Sequence, residues 1–154
     1  MSTLSRRALI GSATLGIVGI GLLRPALAMI EMSRLAGVAV SGYDPVAYFT
    51  EGKPRPGSES ITLMHQGVEW RFASTANRDL FKANPAKYAP QYGGFCSWAV
   101  AQGYTAPADP QAWAVHQGKL YLNYNLEVRE RWKTDIPGHI SKANVNWPNL
   151  SKAP

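Results

Sequence analysis

Two stretches of the chain alternate apolar and polar side chains as a half-buried strand does, and a capped, helix-spaced run follows each of them. Ile61 to Met64 and Val68 to Ala73 flank His65-Gln66-Gly67, which predicts two strands joined by a tight, glycine-containing turn. Ser74 then caps a helix reaching Ala83, where Asn84-Pro85 breaks it, and one more helical turn ends at Tyr88. The same order returns further on: Trp113 to Val115, the turn His116-Gln117-Gly118, Leu120 to Tyr124, and Asn125 capping a helix to Lys133. A last helix after Pro137 runs toward Trp147.

The two stretches form a quasi-repeat at an offset of 51 residues. His65-Gln66-Gly67 becomes His116-Gln117-Gly118, Trp70 becomes Tyr121, Ser74 becomes Asn125, Arg78 becomes Arg129 and Phe81 becomes Trp132. A hairpin alone cannot bury its apolar face, whereas two can share a sheet with both helices on one face. The expectation is an α+β fold, a small four-stranded antiparallel sheet from two hairpin–helix units with short helices packed on it.

Two further elements lie outside these stretches. In Gly42-Tyr43-Asp44-Pro45, Asp44 is a good N-cap and Pro45 a good first helical residue, predicting a short helix over Val46 to Phe49. In that role Asp44 tolerates Asn, which caps as well, and metal ligation is the minority alternative. Tyr92-Gly93-Gly94 is a tight connection into a helix from about Phe95 to Gln102, stopped by Gly103, with Cys96 in its first turn.

Residues 1–28 follow a different pattern and read as a targeting segment. Arg6-Arg7 is a twin-arginine pair, an apolar run without charge follows from Ala8 to Leu23, and Ala26-Leu27-Ala28 has the A-x-A form of a cleavage site. Four glycines within sixteen residues make the run a poor membrane span. The organisation expected is a twin-arginine signal at 1–28, a lead-in at 29–41 and a folded domain at 42–150. The mature protein is then periplasmic, cut near Ala28, and touches a membrane only if the signal stays on.

Removing the signal changes the charge balance. The whole chain has 16 Lys+Arg against 10 Asp+Glu, a net charge of +6, but three of those arginines lie in the signal, leaving 13 against 10. The remaining basic groups are scattered, with no run of five, so no nucleic-acid partner is expected. One cysteine in 154 residues excludes an internal disulfide, a Cys-x-x-Cys centre and a Cys-bound iron–sulfur cluster. The core must therefore hold by burial, and 5 Trp, 7 Tyr and 4 Phe supply it.

Cys96 leads the residues able to carry chemistry. Free N–H groups and the helix dipole at a helix start lower a thiol pKa, and Gly93 and Gly94 let a ligand or metal approach. The plain alternative is a small buried hydrophobe. His65 and His116 end their strands at equivalent turns; if the pseudo-symmetry brings the turns together they form a two-imidazole metal site. His139 is expected to face solvent, and Met29 with Met32 gives a thioether pair suited to Cu(I).

Gly42-Tyr43-Asp44-Pro45-Val46-Ala47-Tyr48-Phe49, Phe72-Ala73-Ser74 with Asn77, Phe81 and Pro85, Tyr88-Ala89-Pro90-Gln91-Tyr92-Gly93-Gly94-Phe95-Cys96, and Gly118-Lys119-Leu120-Tyr121-Leu122-Asn123-Tyr124 together resemble the YHS domain family in its longer, exported form. The resemblance covers over 100 residues of the mature chain. It implies metal binding, copper or another soft heavy metal, with Cys96 at the family's cysteine position. Shorter YHS domains resemble two-cysteine sites, and this chain has no second Cys; His65 and His116 are not motif positions. Any metal site must therefore recruit His, Asp, Met or Tyr, or pair one Cys96 from each chain of a homodimer.

The reading is thus a small exported metal-binding protein, more a binder than an enzyme, with Cys96, His116 and His65 as candidate ligands and Asp44, Tyr43, Gly93, Gly94 and Trp98 as further site candidates. One competitor is a non-enzymatic binding module with an aromatic-lined pocket around Trp70, Trp98, Trp113 and Tyr121. A weaker one is a papain-like cysteine hydrolase, because Cys96 opens a helix but lacks an obvious His base.

Overall fold

A computed structural model describes residues 37–152. The expectations about the twin arginines, the cleavage site, Met29 and Met32 lie outside the described residues.

The fold is α+β. Helix α1 spans Ala47–Thr50, and strands β1 (Ser58–His65) and β2 (Val68–Phe72) form the first hairpin. Helix α2 (Thr75–Ala83) follows, then the single turn α3 (Pro85–Tyr88). The second half repeats this order: α4 (Ser97–Gln102), β3 (Asp109–His116), β4 (Lys119–Asn123) and α5 (Leu126–Lys133). The long helix α6 (Ile136–Leu150) closes the described chain.

The repeat holds to the level of single hydrogen bonds. In both hairpins the His pairs directly with the residue after Gly, so Gln-Gly makes a two-residue loop. Gln66 and Gly67 have φ of 53° and 77°, Gln117 and Gly118 of 49° and 72°, the left-handed pair that matches the twist of an antiparallel hairpin. Each ladder has the same irregularity: Ser58↔Phe72 gives way to Thr62↔Arg71, and Asp109↔Asn123 to Trp113↔Leu122. Ser74 Oγ accepts from Asn77 N–H at 3.1 Å and Asn125 Oδ1 from Val128 N–H at 2.8 Å, the two expected caps. Trp70 lies against Phe81 with ring centroids 4.6 Å apart, and Tyr121 against Trp132 at 5.2 Å, with nearly equal tilts of 36° and 34°.

The repeat also reaches further toward the N-terminus than the hairpins. Ala39–Gly42 and Gln91–Gly94 are both 3-10 turns, 52 residues apart, and their residues Val40-Ser41 and Tyr92-Gly93 share left-handed backbone. Each turn is closed by an aromatic N–H: Tyr43 to Val40 O at 3.0 Å, and Phe95 to Tyr92 O at 3.1 Å. A β-branched Val at φ 51° is a costly conformer, and the surrounding burial must hold it.

One expectation is corrected here. The hairpins do not join into one four-stranded sheet; each is a separate two-stranded sheet. Strand β4 shows the reason. Successive side chains of a strand point to opposite faces. Leu120 and Leu122 enter a core with Val68, Trp70, Phe72 and Phe81, while Tyr121 between them enters a second core with Tyr92, Phe95, Val100 and Trp132. Both faces of β4 are thus covered, and side-chain packing joins the units where edge hydrogen bonds were expected.

Candidate functional site

Just after each left-handed turn, one residue is buried and faces backbone donors. In the first unit it is Asp44, fully buried. Its Oδ1 accepts from Val46 N–H at 2.8 Å, and its Oδ2 accepts from Ala73 N–H at 2.8 Å and Asn77 Nδ2 at 2.7 Å. The carboxylate therefore ties the start of α1 to the end of β2 and to α2. These bonds reach further than the expected cap of the helix after Pro45.

In the second unit the equivalent residue is Cys96, only 1% exposed. The match is close: Asp44 N–H donates to Arg55 O at 2.8 Å and Cys96 N–H to Ala106 O at 2.9 Å. Ala73 N–H meets the Asp44 carboxylate, and Tyr124 N–H, 51 residues on, meets Cys96 Sγ at 3.2 Å. The sulfur sits where the first unit holds an anion. Cys96 precedes α4 as its N-cap residue instead of lying in its first turn. Burial raises its thiol pKa, while the N–H groups of Ala99, Tyr124 and Trp98 pull the other way. The depressed pKa expected from a helix start is thus not found: desolvation outweighs the donors.

Cys96 lines a pocket of about 240 Å³ together with Trp98, Ala99, Tyr104, Ala106, Tyr124 and Val128. Trp98 is half-buried and meets exposed Tyr104 edge-on at 6.5 Å. The pocket wall is largely aromatic and carries no formal charge.

Polar groups gather behind it. Fully buried Asn123 accepts Trp98 N–H at 3.2 Å through Oδ1, which also lies 4.0 Å from Sγ. Asn123 Nδ2, Ser97 Oγ and Trp132 Nε1 are buried without partners among the described residues. The corresponding first-unit residues are Pro45, Phe72 and Phe81, all without such groups. The second unit is therefore the one that departs from plain packing, and such groups are costly unless something meets them.

The other candidates are dispersed. His65 and His116 end hairpins of different sheets, and neither lines the Cys96 pocket. His65 is half-buried, its ring edge-on to Phe81 at 5.6 Å, and burial lowers its pKa. His139 does not simply face solvent: its Nδ1 is 2.9 Å from Trp132 O. Among the described residues no three His, Cys, Asp or Glu side chains gather into a metal-holding group. Tyr43 Oη accepts from Gln111 Nε2 at 3.3 Å, far in sequence from Cys96. Gly93 and Gly94, with φ of 62° and 83°, shape the turn before Cys96, and Gly93 lines a separate cleft. The four expected aromatics do not share a pocket: Trp70 borders that cleft, Trp98 the Cys96 pocket, Trp113 packs on Tyr48 at 5.3 Å, and Tyr121 on Trp132.

Sequence reading missed the equivalence of Asp44 and Cys96. Its signal was present as Gly42-Tyr43-Asp44 against Gly94-Phe95-Cys96, glycine then aromatic then polar, but at an offset of 52 and not 51. Tyr104 was missed because no local pattern marks it, and Asn123 and Tyr124 stood in the motif block Gly118 to Tyr124 without being given a site role. No protein-family model, curated protein or solved structure matches the chain.

Proposed function

We propose that the chain is an exported, non-enzymatic binding protein that carries a soft metal ion, copper above all, on the single sulfur of Cys96. The observation that carries this reading is the position of Sγ, at the wall of a pocket and in the cradle that holds a carboxylate in the first unit. The N–H groups of that cradle can face a thiolate once a metal has displaced the thiol proton, and thiolate is the ligand type that favours Cu(I). The YHS-like motif residues point the same way.

The described residues do not fit a chelating centre, since neither His65 nor His116 lines the pocket. The metal is cargo, delivered with a small ligand that occupies the apolar pocket beside Trp98, Tyr104 and Tyr124. Binding replaces the thiol proton by the metal and releases that proton to solvent. The 1% exposure of Cys96 opposes a metal bridged between two chains, so one metal per chain is expected. A papain-like hydrolase needs a base beside the sulfur, and no His lines the pocket.

Competition titration with Cu(I) and one equivalent of a low-molecular-weight thiol tests the proposal. Binding in the parent and its loss in Cys96→Ser are the expected results. Equal affinity in Cys96→Ser, or no binding tighter than about micromolar in the parent, overturns it. The pocket as a site for an uncharged small molecule then leads. Export is tested separately: intact mass of the secreted protein is expected to place the N-terminus at Met29, and Arg6→Lys/Arg7→Lys to block secretion.

A further inference from the structure

A second cleft, of about 430 Å³, opens between the two units on residues the Cys96 site does not use. It exists because the units end differently. In the second unit α6 continues the chain over the aromatic pair, with Ile136 and Ile140 packed on the core of Tyr121 and Trp132. In the first unit the corresponding helix α3 stops after one turn, and the cleft lies beside Pro85, Ala86 and Pro90 where it stops.

Its walls are flat rings held in place. Trp70 is fully buried, with its Nε1 directed to His65 O at 3.4 Å. Tyr92 stands against Trp147 at 5.9 Å, and its hydroxyl donates to Asn144 Oδ1 at 2.9 Å. Among the described residues no Asp, Glu, Lys or Arg lines the cleft; the polar side chains are the imidazole of His65 and the amides of Gln66 and Gln91. An anion would lose its hydration here without gaining a partner and a cation would gain only ring faces that are mostly buried, whereas an uncharged ligand loses little. The volume falls within the range of small-molecule sites, about 300–1,000 Å³.

We propose that this inter-unit cleft is a binding site for a neutral, planar, fused-ring molecule bearing a hydroxyl or amide edge. The ring lies against Trp147, over a floor of buried Trp70 and Tyr92, and its polar edge meets His65, Gln66 or Gln91. The site does not depend on Cys96.

The test is a ¹H–¹⁵N NMR titration of the full chain with three probes of one shape: 2-naphthol, the anion 2-naphthoate and the cation 2-naphthylmethylammonium. Saturable shifts with 2-naphthol are expected at the side-chain amides of Gln66 and Gln91 and at the indole N–H of Trp147, with about tenfold weaker response to either ion. Ala86 is exposed, so Ala86→Trp fills the cleft without disturbing a core and is expected to abolish the shifts. His65→Ala provides the same check by removing a wall, and Cys96→Ser is expected to leave these naphthol shifts as they are in the parent. Equal binding of naphthoate, shifts elsewhere, no saturation, or full binding in folded Ala86→Trp overturns the proposal.

Discussion

At the scale of single residues, Asp44 and Cys96 show how one backbone environment treats two side chains. Asp44 offers acceptors only, and both of its oxygens are used. An amide in its place turns an N–H₂ toward one set of donors, so Asp44→Asn is expected to cost about 1–3 kcal/mol, against the tolerance a simple cap predicts. Urea unfolding of the variant checks this, and a loss near zero would return Asp44 to a capping role. For Cys96 the sign follows from burial. Its folded-state pKa lies above its unfolded value of about 9.0, so between the two the unfolded chain releases a proton that the folded chain keeps. Stability from this group is complete below about pH 9 and falls as pH rises through the folded pKa. Tyr48 and Tyr92, both raised mainly by burial, act in the same direction. Denaturant midpoints between pH 8 and 10.5 are expected to fall less steeply in Cys96→Ser than in the parent.

At the scale of elements, local rules explain most of each unit. Ser74→Ala and Asn125→Ala remove equivalent caps and are expected to cost about 1 kcal/mol each. A marked difference between them, read by thermal unfolding, would show that the units are not energetically equivalent. The turns carry the opposite lever. Gln66 and Gln117 hold left-handed backbone that Gly or Asn adopts more easily. Gln66→Asn and Gln117→Asn are each expected to stabilise by a few tenths to about 1 kcal/mol. A lower midpoint in either would mean that the glutamine side chain contributes more than its backbone costs.

At the scale of the whole molecule, β4 binds the units together, because its alternate side chains belong to two cores. The first unit cannot complete its core without Leu120 and Leu122, both at most 1% exposed. A fragment of residues 37–90 is therefore expected to remain unfolded by circular dichroism. Leu122→Ala is expected to lower the stability of the whole by about 2–5 kcal/mol in one transition. Two separate transitions would show that each unit folds alone.

Features governed by neighbours along the chain were legible in the order of residues. Alternation placed the strands, Ser74 and Asn125 placed helix starts, Gln-Gly placed the turns, and spacing revealed two like units. These features are legible because each depends on a few adjacent residues and a fixed period. His65 and His116 share a motif position, but it places them in different sheets and neither of them at the Cys96 pocket. Tertiary structure alone decided that the hairpins stay separate, since only packing tells which core each face of β4 enters. It alone decided that Cys96 takes the place of a buried carboxylate, where desolvation outweighs the helix-start donors and raises the thiol pKa. Burial of a side chain depends on residues distant in the chain, here Ala106 and Tyr124, and no local pattern encodes it.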